Sequence, residues 1–87
     1  MRFIYPFIAC IAVSSAYASP ECTRSPKSEW MSDLTLRHKL KSDGYVVKKF
    51  KTAGNCYEMY GQDKSGRKVK IYFNPVTGDV VKTKSAT

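Results

Sequence analysis

The stretch from Cys56 to Gly78 constrains the fold more than any other. Between Arg67 and Phe73, Val69, Ile71 and Phe73 alternate with Lys68, Lys70 and Tyr72, so one side of an extended chain is apolar and the other polar. Cys56–Gln62 before it sets Tyr57 and Met59 against Glu58 and Tyr60, and Asp63-Lys64-Ser65-Gly66 between the two runs is a tight hairpin whose Gly66 supplies a positive φ. In Asn74-Pro75-Val76-Thr77-Gly78-Asp79, the Asn74 side chain bonds forward, Pro75 fixes φ at the first corner and Gly78 leaves the turn. Val80–Lys82 is then a short last strand. An antiparallel meander is the consequence.

Upstream, Ser32 is a good helix cap with Asp33 in the first turn, and Arg37, Lys39 and Lys41 stand toward the other end, where the helix dipole favours cations. Gly44 falls where a left-handed residue stops a helix, which sets Tyr45 over Leu40. Leu36 and Leu40 share a stripe, with Leu34 and Trp30 expected as a flanking ridge. Trp30 and Met31 read as core rather than as an exposed recognition patch. The first strand, Tyr45–Lys51, alternates badly: strict period two would bury Lys48. A bulge at Lys48 or Lys49 brings Val47 and Phe50 to one side, and Thr52–Asn55 turns the chain into the next strand. The expected fold is α+β, one short helix packed on one face of a three- or four-stranded antiparallel sheet, the other face open to solvent.

Residues 1–18 read as a secretory signal peptide: Arg2, an apolar run from Phe3 to Val13, and Ala16-Tyr17-Ala18 before Ser19. A membrane tether is the alternative, although the run is short and interrupted by Pro6; a lipoprotein anchored through Cys10 has too little apolar chain before the cysteine. Residues 19–28 form an extended arm rich in Pro, Ser and Thr, 29–83 the domain and 84–87 a tail. Of three cysteines the signal would carry away Cys10, leaving Cys22 and Cys56 in an oxidising compartment, periplasmic or secreted, where a disulfide is the natural outcome. A metal pair would need more ligands than His38 supplies.

In order, the capped helix, Gly44-Tyr45, the cysteine running into Tyr57-Glu58-x-Tyr60, the Gly66 hairpin and Tyr72-Phe73-Asn74-Pro75-x-Thr77-Gly78 resemble the PepSY domain, in its short exported bacterial form. The resemblance covers Glu29 to about Lys82. It implies a module of the kind found in the propeptides of thermolysin-like metallopeptidases and as free envelope proteins, which restrains a peptidase or modulates local protease activity. Where the family often has aspartate before the turn proline, Asn74 stands here, which counts against an ion-binding role for that corner.

Nothing in the chain assembles a catalytic constellation. His38 sits among lysines, Glu58 and Asp63 are expected to be exposed and too few for a carboxylate dyad, and no Gly-rich loop precedes the helix. The reading is no enzyme and no cofactor. Binding remains, with Tyr60, Lys68, Lys70 and Tyr72, and Lys48 beside them, as candidate residues on the open sheet face. The formal net charge of +8, one less once Arg2 is removed, also suits a basic binder of anionic lipid or polysaccharide; export argues against nucleic acid.

Overall fold

A computed structural model describes residues 19–86, so the signal-peptide reading falls outside the described residues. A 3-10 turn at Lys27–Glu29 precedes one α-helix, α1 (Asp33–Ser42), and four strands, β1 (Val46–Ala53), β2 (Cys56–Gln62), β3 (Lys68–Phe73) and β4 (Val80–Ser85). The strands pair antiparallel in sequence order, which leaves β1 and β4 as edges.

The helix ends follow their local chemistry. The Ser32 hydroxyl accepts from the Thr35 amide at 3.2 Å. At the other end the Tyr45 amide donates to the Leu40 carbonyl and the Gly44 amide to that of Lys41, with Gly44 at φ +99°: the bond pair of a Schellman stop. Leu36 and Leu40 are buried against Met59, Val69, Ile71 and Phe73, and Trp30, Met31, Tyr45, Val47 and Phe50 close the rim. Leu34 does not join them. It is 67% exposed, because two residues at 100° each turn it away from the side that carries Leu36. Trp30 reaches the core from before the helix, its ring edge-on to Tyr57 at 5.3 Å and its indole N–H donating to the Ser25 carbonyl.

The first strand carries the expected bulge. Register slips between Val47 and Lys49, leaving Lys48 unpaired and turning Val47 and Phe50 to the core. The strand runs on to Ala53, so Gly54 and Asn55 alone make the turn, with Gly54 at φ +62°. In the next hairpin the Asp63 carboxylate accepts from the Ser65 and Arg67 amides, both at 2.9 Å, and Gly66 stands at φ +86°. The Arg67 amide holds the Asp63 carboxyl below its usual value; burial opposes it, and the Ser65 amide, the Arg67 charge and the Gly66 amide add to the lowering. At the last turn Asn74 Oδ1 accepts from the Val76 and Thr77 amides, the Thr77 hydroxyl accepts from the Asp79 amide, and buried Pro75 gives its carbonyl to the Met31 amide. That bond fastens the turn to the entrance of α1.

β4 is longer than expected. It continues to Ser85, and the Ala86 amide donates to the Lys68 carbonyl, so Lys84 and Ser85 belong to the sheet rather than to a tail. Its six residues are all exposed and carry no alternation from which its length could be read; backbone pairing with β3 sets it.

Cys22 and Cys56 form a disulfide with their Cα atoms 5.2 Å apart. It lays the arm across one end of the sheet, where the Cys22 amide donates to Asn55 Oδ1 and the Asn55 side-chain amide donates to Glu21.

Candidate functional site

The sheet face turned away from α1 is built from two cross-strand rows. Register places Lys49, Tyr60, Lys70 and Lys84 side by side in one, and Lys51, Glu58, Tyr72 and Lys82 in the next; Lys68 follows beside Gln62. The bulge at Lys48 creates the arrangement, since it re-phases β1 so that Lys49 and Lys51 point opposite to Phe50. One face therefore carries six lysines against one carboxylate.

All four sequence-derived candidates share this face, but they are not equivalent. Tyr60 is 42% exposed and Lys68 is exposed, as a binding role needs. Tyr72 is 6% exposed, packed with Cys22 and Cys56 beneath the arm; the disulfide has covered the ring that was expected to be an open platform. Glu58, expected to be exposed, is buried too, and its carboxylate stands 3.5 Å from the Lys70 ammonium. That ammonium is 5.9 Å from the Tyr72 ring centre. Lys48 occupies the bulge, near Tyr60 and Lys68 along a second shallow depression. The residues missed from sequence are Lys49, Lys51, Lys82 and Lys84. For the first pair the signal was present, because a bulge that turns Val47 and Phe50 inward must turn Lys49 and Lys51 outward.

Lys49, Lys51, Glu58, Tyr60 and Lys70 line a basin of about 280 Å³ along β2. Lysines wall it and the buried Glu58 lies in its floor. Neither edge of the sheet invites another strand: β1 is bulged and lysine-rich, and β4 presents Lys82 and Lys84 beside a register shift of its own. A partner is better seated on the face.

A family model described as peptidase propeptide and YPEB domain, PepSY_2, matches residues 2–84. The chain belongs to this PepSY family. No curated protein and no solved structure gives a significant match. Membership relates the domain to peptidase propeptides, and the PepSY fold expected from Glu29 onward is the helix and antiparallel sheet described above. Among the described residues no group of three His, Cys, Asp or Glu side chains could hold a metal ion, and no helix is long and apolar enough to cross a membrane. His38 is exposed on α1.

Two groups of this PepSY domain couple its stability to alkaline pH. Burial, then the charge of Asp33, raises the Tyr57 phenol above 10.0; its hydroxyl donates to the Met31 carbonyl at 2.8 Å. The Glu58 charge, then Tyr72, raises Lys70 above 10.5. In both, the fold favours the protonated form, so the stabilisation is complete below the unfolded-state values and is lost as pH rises through the folded ones. Urea midpoints are expected to hold level from neutral pH to about 10 and to fall above it. Tyr57→Phe is expected to lose about 1 kcal/mol at neutral pH with the hydrogen bond and to show a shallower alkaline decline. Equal slopes in the two proteins would remove Tyr57 from this account.

Proposed function

We propose that this PepSY domain is an exported, non-enzymatic binding module that seats a peptidase of the cell envelope against its basic sheet face and restrains it. The observation that carries the reading is the match to a peptidase-propeptide family across nearly the whole chain. Two features support it. The disulfide suits an oxidising compartment, in keeping with the signal-like residues 1–18, and the sheet face stays uncovered beyond the arm. A propeptide-like module needs no chemistry of its own; it needs a surface that another protein fills.

The test is a cross-linking pull-down from the envelope with the oxidised protein, followed by titration of the recovered peptidase while it cleaves a fluorogenic peptide. A saturable fall in turnover at near-equal stoichiometry is expected. Recovery of no peptidase, together with unchanged envelope proteolysis in a deletion strain, would overturn the reading.

A further inference from the structure

We propose that the basin along β2 is a seat for an acidic polypeptide segment in extended conformation, carrying carboxylates at alternate residues. The inference rests on the reading that the partner is a protein, and it names the chemistry that partner presents.

The first observation is where the charge stands. Asp33, Asp43 and Asp63 are each taken up by a cation four residues on or back, Arg37, Lys39 and Arg67, away from this face. Glu58 is matched by Lys70. Among the described residues, Lys49, Lys82 and Lys84 form no ion pair, Lys51 faces Glu58 across the strands without forming one, and register sets Lys70 directly opposite Lys84. Like charges facing each other across strands are destabilising. A chain that keeps them on one face while its own acids sit elsewhere leaves that face short of anions.

Spacing decides the shape of the ligand. Lys49 and Lys51, Lys68 and Lys70, and Lys82 and Lys84 are each two residues apart on a strand, about 6.7 Å along it, with neighbouring strands about 4.8 Å away. An extended peptide repeats its same-side groups at the same interval. Laid over β2, such a segment would pass between the lysines of β1 and that of β3, with half-exposed Tyr60 beneath it as a hydrogen-bonding and apolar contact. The concave lining argues against a membrane. A planar lipid surface meets the tips of the edge lysines, whereas a side chain protruding from a peptide can enter the basin between Lys49, Lys51 and Lys70.

The experiment uses the oxidised protein and a fluorescein-labelled dodecapeptide of alternating Glu and Thr, read by anisotropy, with a Gln-Thr peptide and phosphatidylglycerol vesicles as comparisons. The Glu-Thr peptide is expected to bind, the Gln-Thr peptide not, and binding to weaken as salt rises. Lys49→Glu/Lys84→Glu is expected to lower affinity about tenfold or more, while Lys41→Glu/Lys64→Glu, the same change in net charge away from this face, alters it by about twofold at most. Lys84→Glu alone should raise the thermal midpoint, since it replaces a like-charged neighbour of Lys70, and still weaken the peptide; a residue with a merely structural role would not separate the two. Equal losses in both double variants, or vesicles bound in preference to the peptide, would overturn the proposal. Full restraint of the peptidase by Lys49→Glu/Lys84→Glu would overturn it and leave the proposed function standing. Face-dependent peptide binding with no peptidase restrained would uphold it and remove the proposed function.

Discussion

Reduction of the Cys22–Cys56 bridge, or its replacement in Cys22→Ser/Cys56→Ser, is expected to cost about 4 kcal/mol, the chain-entropy value for a loop of 34 residues. A domain of this size gains only about 3–5 kcal/mol from its core, so the loss approaches the whole stability and the thermal midpoint should fall by roughly 20 °C. The core explains why so much rests on one bond. It is a single layer between one ten-residue helix and one sheet, and the second buried cluster consists of the two cysteines and Tyr72. Without the bridge the arm keeps only a few hydrogen bonds, those around Asn55 and the one from the Trp30 indole to Ser25, which are individually weak. Tyr72 should then be uncovered, seen as greater access to solvent quenchers of tyrosine fluorescence. Thermal unfolding with and without reductant reads the first effect. A midpoint that moves by less than a few degrees would show that the helix and sheet hold without the tie.

The parts of the fold that declared themselves in sequence are those fixed by neighbouring residues. Ser32 caps α1 and Gly44 stops it because each meets backbone groups within a few positions; Asn74, Pro75, Thr77 and Gly78 shape one turn among themselves. The bulge at Lys48 was legible because leaving it out would bury a lysine. What was not legible depends on chain far away. Tyr72 alternates onto the polar side of β3, and only the arm, fifty residues upstream and brought there by Cys22, covers it. Glu58 is buried among Lys49, Lys51, Tyr60 and Lys70 and is tolerated because Lys70, one strand over and twelve residues on, supplies its counter-charge. The lysine face followed only in part: Tyr60, Lys68 and Lys70 could be placed on it, but Lys84 could not until β4 proved longer than its apolar residues indicated.

Gly61→Ala is expected to damage the sheet by about 3 kcal/mol or more, at or beyond the upper end of ordinary overpacking. Gly61 is the penultimate residue of β2, opposite Val47 on one side and Val69 on the other, and is buried. A Cβ built there runs into the carbonyl oxygen of Val46 and stands 3.0 Å from its carbon and 3.1 Å from the Lys48 amide nitrogen. All three obstacles are backbone, so no side-chain rotation relieves them. The cause is the bulge itself: with Lys48 looped out, the start of β1 folds over β2 into the space a side chain at position 61 would occupy. A glycine inside a strand marks such a close approach, and this is the signal that pairs Gly61 with Lys48. Gly66 provides the contrast, since a Cβ there meets nothing within 4 Å and only its φ of +86° opposes a side chain. Gly66→Ala should therefore cost about 1 kcal/mol through backbone strain, clearly less than Gly61→Ala. Because the bulge also aims Lys49 and Lys51, Gly61→Ala should weaken acidic-peptide binding even in whatever fraction remains folded. Comparable urea midpoints for the two alanine variants would mean that β1 can lift off β2 at little cost, and that the lysine face does not depend on the bulge to hold its shape.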